Sequence, residues 1–372
     1  MEKEALRFSH SAIASYCEQW TSCSPTVLHQ SNPQPFTLGE LEQLIGPIMD
    51  TIEPGVALTY TRNSGGHKLR SSIAKLYEHN EADYIATFAG AQEAIFCISH
   101  ALLQPGDTVV AITPIFEPLI KTAAEIGCTI ELVPLLAKNR WLLDLRTIEQ
   151  KIRSGCRLLI LNFPHNPTGA MITQDELDSL ITLCRENNCW LLSDEVFRGL
   201  EYDPENRLPA ATDRYPRAIS VSVFSKAFAL PGLRIGWISC QNKALINRVM
   251  EIKSCLSICN SFLDESLAIR ILPHYELIWE RNRELLHHNL QKINAFMAQN
   301  SADFRFIPPD AGCTVFPLLR NQTSVESYAQ KLVEEHNLLV LPARLFLSDL
   351  NAFRLGFGYR ENPDHLVAIA FS

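Results

Sequence analysis

The sequence predicts an α/β protein, with a large domain built on a mostly parallel central sheet sandwiched by helices and a smaller α+β domain beside it. Three observations carry this reading. Helical and β-like segments alternate from about residue 67 onward, the signature of crossover units. The β-like runs are short and apolar on both faces, as strands covered on both sides are. A chain of 372 residues with 47 % hydrophobic content can bury a substantial core, divided over two domains.

Taken in order, residues 1–45 form an N-terminal segment assigned to the small domain. Within it "SNPQPFTLGE" reads as a proline-containing loop entering a short helix near Thr37 or Leu38. Helical periodicity fits about 67–78, 91–103, 117–127, 143–154 and 174–188. Short apolar runs fit strands at "TVVAI" (108–112), "RLLILNF" (157–163), "WLLSD" (190–194), "AISVSVF" (218–224) and "RIGWISC" (234–240). A helix at about 243–257 follows. The large domain is expected over 46–265. The small C-terminal domain is expected over 266–372, where long amphipathic helices lead into "DFRFIPPDAGCTVFPLL".

The formal net charge is −8, from 33 Lys and Arg against 41 Asp and Glu, so a basic surface for nucleic acid or an anionic membrane is not expected. Apolar runs such as "LLILNF" fall far short of the ~20 residues that span a bilayer. The N-terminal "MEKEALRFSHSAIASYCEQW" is mixed and charged, unlike a secretory leader. The 11 cysteines are scattered, with no CxxC pair and no Cys/His spacing suited to zinc. They read as reduced thiols in a cytoplasmic protein without a metal site.

In open α/β sheets ligands sit at the carboxyl ends of strands, and four such ends carry unusual residues. "FAGAQEAIF" sets Gly90, Ala91 and Gln92 at a turn opening a helix, where free N–H groups and the helix dipole favour an anion. By itself it reads better as an ordinary helix start. "NFPHNPTGA" puts Asn166 in a turn fixed by Pro167, with His165 expected as a packing or hydrogen-bonding neighbour. "WLLSDEVFRGL" ends an apolar strand on Asp194, a carboxylate that needs a cation or a donor, and a salt bridge to an internal Arg or Lys would serve as well. Glu195 beside it is expected at the periphery. "SVFSKAFALPGLRIGW" places Lys226 eight residues before Arg234. A desolvated lysine near another cation has a lowered pKa and a nucleophilic neutral amine. The four pieces together suit one organic cofactor. Its phosphate would meet the helix N-terminus and Arg234, its ring nitrogen Asp194, its phenolic oxygen Asn166 and its aldehyde Lys226.

These motifs, in this order, resemble the fold-type I pyridoxal-phosphate enzymes, specifically the aminotransferase class I/II family, from about Asn32 to Phe357. The resemblance implies the PLP-transferase (aspartate-aminotransferase-like) fold and pyridoxal 5′-phosphate (PLP) as cofactor. It implies Lys226 as the Schiff-base lysine, and Ser225 and Arg234 as phosphate contacts together with Gly90, Ala91 and Gln92. Phe116, in "TPIFEP", matches the aromatic that stacks on the pyridine ring. Asn166 matches the asparagine that hydrogen-bonds the ring's O3′, and Asp194 the aspartate paired with the pyridinium nitrogen. Arg354, in "FRLGFG", matches the arginine that grips the substrate α-carboxylate, a task for which a bidentate fork suits better than an ammonium. Tyr60, in "TYTRNSGGHKLRSSIA", resembles a tyrosine that reaches the phosphate of the neighbouring subunit, which implies a homodimer with shared sites.

The implied activity is transfer of the α-amino group of an L-amino acid to a 2-oxo acid, with Lys226 as the base and Asp194 keeping the ring an electron sink. Three positions depart from the family pattern. Phe197 stands where a tyrosine usually donates to O3′, Val223 where a small hydroxyl residue touches the phosphate, and Ala343 where glycine is common near the substrate. Phe197 keeps open β-elimination, replacement or cyclisation of an amino acid with a β-leaving group, as in capreomycidine-synthase-like members. A non-catalytic binding module on the same fold is disfavoured by the joint presence of Lys226, Asp194, Asn166 and Arg354. The substrate side chain is not legible, and Gln30, Ser31 and Asn32 are the contacts to examine in the N-terminal loop.

Overall fold

The computed structural model describes residues 11–49, 54–320 and 322–369; residues 1–10 of the expected N-terminal segment lie outside them. Seven strands form the central sheet: β1 (Ile85–Phe88), β2 (Thr108–Thr113), β3 (Thr129–Pro134), β4 (Cys156–Asn162), β5 (Trp190–Asp194), β6 (Ala218–Val223) and β7 (Gly236–Ser239). Their order is β1-β7-β6-β5-β4-β2-β3. Only β7 runs against the rest, pairing antiparallel with both β1 and β6. The aspartate-aminotransferase-like architecture expected from the sequence is therefore present.

The apolar runs are continuous because alternate residues enter different cores. Val109 and Ala111 of β2 and Leu158 and Ile160 of β4 pack on one face with Ala94, Ile98 and Val249. Val110, Ile112, Leu159 and Leu161 pack on the other face with Ile148, Ile152, Leu177 and Leu180. A third core gathers the C-terminal part: Leu286, Ile293, Phe304, Leu332 and Phe353 with Phe224 and Trp237. Burial of this kind stabilises by roughly 1.5–3 kcal/mol per large aliphatic side chain.

Two sheet strands escaped the sequence reading. β1 is four residues long, too short to show a period. β3 is an edge strand with Thr129, Leu132 and Pro134 exposed, so its composition does not look buried. The helix expected over 243–257 ends earlier, at Lys253. There the Lys253 ammonium turns inward to bond Asn260 Oδ1 at 3.1 Å, and the chain passes through Ile258 at φ 66° to make that possible.

Three helices matter below: α1 (Ala91–Leu102), α2 (Lys243–Lys253) and α3 (Tyr275–Gln299). α1 packs on α2 behind β1 and β7. Past α3, the short strands Thr314–Val315, Phe353–Gly356 and Leu341–Pro342 form an antiparallel sheet. Thr26–Val27 pairs in parallel with Leu338–Leu339, which ties the N-terminal segment to this region.

Candidate active site

β1, β2, β4, β5 and β6 point their carboxyl ends to one edge of the sheet, and Gly90, Phe116, Asn166, Asp194 and Lys226 all stand at or just beyond those ends. At one side α1 opens on Gly90, which adopts φ 92° and leaves the first-turn amides without a side-chain cap. A Cβ on Gly90 would lie 2.8 Å from Arg234 Nη2, so glycine is what admits the guanidinium over the turn. A Cβ on Gly236 would meet the Ala91 nitrogen at 2.6 Å, so β7 passes directly under the same turn. Arg234 is exposed and left-handed, with φ 46° and ψ 39°, a conformation that costs a non-glycine residue about 1–3 kcal/mol. Uncapped helix amides with a guanidinium beside them are the arrangement that binds a phosphate.

On the floor, Lys226 Nζ donates to Ser31 Oγ at 2.7 Å, so the N-terminal loop crosses the cleft. Burial pushes the Lys226 pKa down to about 8; Arg354 and Arg234 push the same way, against Asp194. Asp194 is 5 % exposed. Burial raises its carboxyl to about 7, against the Val196 N–H that donates to Oδ1 at 3.2 Å and against the Lys226 charge. A carboxylate placed so deep with so little compensation is poised for a cationic partner.

At the other side, Asn162 acts as a bracket. Its Nδ2 donates to the Asp194 carbonyl at 3.2 Å and its Oδ1 accepts from the Asn166 backbone N–H at 2.9 Å. Asn166 Oδ1 accepts from Arg354 Nη1 at 2.9 Å. Arg354 is buried, and its Nη2 donates to the His29 carbonyl oxygen. Its Nε, also buried, has no hydrogen-bond partner among the described residues. Burial lowers the Arg354 pKa to about 10. A buried arginine with an unused donor is a ready carboxylate receptor.

The family profile described as aminotransferase class I and II matches residues 37–369. This chain belongs to that family. The capreomycidine synthase of Streptomyces vinaceus is 28 % identical over 333 residues, 89 % of this chain and 85 % of that one. The arginine–pyruvate transaminase AruH of Pseudomonas aeruginosa is 27 % identical over 319 residues, 82 % of this chain and 79 % of that one. A solved PLP-dependent aminotransferase from Streptococcus suis superposes with a TM-score of 0.90 at 26 % identity, covering 97 % of this chain and 96 % of that one.

As an aminotransferase-family protein the chain takes pyridoxal 5′-phosphate, and the edge of its sheet fits that cofactor. The open amides of α1 and Arg234 suit the phosphate, Asp194 suits a cationic ring nitrogen, and the orphaned Arg354 Nε awaits a carboxylate. The sequence-predicted residues do not all converge to the same degree. Lys226, Asp194, Asn166 and Arg354 form one electrostatic unit, and Gly90 touches Arg234. Phe116 is half-buried against the α1 core, Ser225 is half-buried beside Lys226, and Gln92 is exposed on the first turn of α1. Tyr60 stands apart, 82 % exposed beside Leu58.

Phe197 is fully buried, and a Cβ on Gly312 would come 3.2 Å from its ring. Val223 and Ala343 are also core residues. His165 is a hydrogen-bonding neighbour as expected, with Nδ1 2.8 Å from Thr168 Oγ1. Glu195 is not peripheral. It is 5 % exposed and accepts from the Ala211 N–H at 2.9 Å and from Ser220 Oγ at 2.7 Å, because the turn after β5 folds back onto β6. The sequence reading missed Asn162 and His29. A second asparagine four residues before Asn166 was the available signal for the first. His29 acts through its carbonyl, which no side-chain pattern reveals.

Proposed function

We propose that the protein is a PLP-dependent aminotransferase acting on an L-amino acid and a 2-oxo acid, with Lys226 as the lysine that bonds the coenzyme. The observation that carries this reading is the half-buried Lys226, which lies in the electrostatic field of both the buried Asp194 carboxyl and the half-satisfied guanidinium of Arg354. Arg234, Ser225 and the Gly90, Ala91 and Gln92 turn hold the phosphate. Phe116 covers the ring, Asn166 donates to O3′ and Asp194 pairs with the ring nitrogen. Bound pyridoxal phosphate supplies an electron-poor ring that draws electron density from the substrate α-carbon.

The chain's own residues do the rest. Arg354 takes the α-carboxylate on its free donor and fixes which bond at the α-carbon stands open to Lys226. Lys226 Nζ, lowered to about 8, holds a useful fraction of neutral amine near neutral pH and moves the α-proton. Asp194 keeps the cofactor ring positively charged by supplying the counter-charge.

The assembly is part of the same proposal: a cytoplasmic homodimer in which Tyr60 reaches the partner's phosphate. The exposed Leu58 and Tyr60, with Ile258 and Leu263 close by, support a covered face there. The free cysteines and the lack of any helix long and apolar enough to cross a membrane, among the described residues, are compatible with it. The proposal includes a division into a small domain, 1–45 plus 266–372, and a large domain, 46–265, which the separate sheets joining Thr26–Val27 to Leu338–Leu339 and Phe353–Gly356 to its two neighbours support.

A second reading has its own support. Phe197 removes the phenol beside O3′, and the relative named capreomycidine synthase aligns over 89 % of this chain. In that reading the same proton abstraction is followed by loss of a β-substituent and ring closure. Incubating the PLP-loaded enzyme with a panel of amino acids decides between the two. Amino transfer converts the coenzyme to its pyridoxamine form and yields a 2-oxo acid. Loss of a β-group or a cyclised product without that conversion establishes the second reading, and no spectral response to any amino acid overturns both.

A further inference from the structure

Behind the phosphate turn lies a buried polar cluster that the reaction does not use. Lys253, the last residue of α2, is 0 % exposed. An ammonium has three donors, and all three are engaged: Asn63 O at 2.7 Å, Thr87 O at 2.8 Å and Asn260 Oδ1 at 3.1 Å. Burying such a charge costs several kcal/mol unless every donor is met, so the carbonyls that meet it are held in place by it.

The three acceptors belong to different segments. Thr87 is in β1, three residues before the phosphate turn begins at Gly90. Asn260 Nδ2 donates to the Phe88 carbonyl at 2.8 Å, and that same carbonyl accepts the Gly90 N–H at 2.8 Å. Asn63 lies on the loop that carries Tyr60. That loop is bound to the cluster again by Thr61 Oγ1, which donates to the Asn260 carbonyl at 2.9 Å, and by Asn63 Nδ2, which donates to the Ile258 carbonyl at 2.7 Å. Thr87 N donates to Ser64 O at 3.1 Å, and Gly65 at φ 95° leaves no room for a Cβ beside Thr87. The cleft at this face is lined by Leu58, Tyr60, Phe262 and Leu263.

One cation thus fixes the place of the turn that opens α1 relative to the loop that presents Tyr60. We propose that Lys253 and Asn260 are positioning residues that couple the coenzyme's phosphate site to the subunit face bearing Tyr60, so that phosphate binding and dimerisation strengthen one another. This rests on the coenzyme and homodimer assignments above. Coupling between two sites is reciprocal, and factors of roughly 5–150 are usual.

The test measures the dimer dissociation constant of the full chain, stripped of coenzyme, alone and with saturating PLP or with pyridoxal, which lacks the phosphate. In the natural protein PLP tightens the dimer about tenfold more than pyridoxal does. In Lys253→Met that difference falls to the small part that Tyr60 supplies from a loop no longer held in place. In Thr61→Val, which deletes one half-buried hydroxyl and leaves the fold intact, it falls several-fold. Should Lys253→Met fail to fold, Thr61→Val decides alone. Retention of the full PLP-against-pyridoxal difference in the variants, even with a lowered melting temperature, overturns the proposal and leaves the cluster a structural support. A natural chain that binds no PLP, or forms no dimer, overturns the underlying reading instead.

Discussion

The two sides of the cleft are made in different ways. The phosphate side comes from two continuous stretches, 88–93 and 222–237, laid on adjacent strands and shaped by glycines and backbone amides. The carboxylate side is assembled from distant pieces: His29, Ser31, Asn166 and Arg354, joined by Arg354's bonds to Asn166 and the His29 carbonyl and by the Lys226–Ser31 bond. The first is preformed wherever the sheet is. The second exists only once the N-terminal loop and the C-terminal strands have closed on the sheet edge. Coenzyme affinity and substrate affinity are therefore expected to respond to separate sets of substitutions.

The floor between the two sides gives the largest effect. Asp194→Asn removes the counter-charge of the ring and is expected to lower kcat about a thousandfold. The same change has the opposite effect on the coenzyme-free fold. Because burial raises the Asp194 pKa to about 7, from an unfolded value near ~3.9, the native state holds its proton more tightly. Wild-type stability is undiminished by this group below about pH 4 and falls as the pH rises toward about 7. Melting temperatures of the stripped proteins should show Asp194→Asn more stable than wild type at pH 8 and no more stable at pH 4.

Arg354→Lys breaks the carboxylate side alone. An ammonium cannot reproduce the fork, and kcat/KM for the amino acid should drop about a hundredfold. Coenzyme affinity, measured by titration of the stripped protein, should stay within a few-fold of wild type.

Gly90→Ala breaks the phosphate side alone. It forces a side chain onto φ 92° and against Arg234, and PLP affinity should fall about tenfold, with the KM at saturating PLP little changed. Ser31→Ala gives the smallest effect, about three- to fivefold in kcat/KM, from one lost hydrogen bond to Lys226. If Gly90→Ala raises the amino-acid KM as much as it weakens PLP binding, the two sides are not separable and the comparison fails.

This division also explains what the sequence made legible. Lys226, Asp194 and Asn166 stand at strand ends, where a polar residue after an apolar run is conspicuous, so both strand and site could be read together; Gly90 was legible only from the small residues that open its helix. Arg354 was visible only through its motif, since nothing local tells a buried arginine in "FRLGFG" from a surface one. His29 and Asn162 act through a backbone oxygen and through a bracket between two loops, which are properties of long-range closure. The short β1 and the exposed edge strand β3 were missed because neither has enough buried positions to imprint a period. Glu195 was misread as peripheral because its burial depends on Ser220 and Ala211, which reach it only after β5 and β6 have paired.

The most direct test of the account is chemical. The protein is mixed with PLP, reduced with borohydride, digested and mapped by mass spectrometry. The expected result is a single phosphopyridoxyl group on Lys226, absent from Lys226→Ala and from protein treated with an amino acid before reduction. Labelling of another lysine, or none at all, would contradict it.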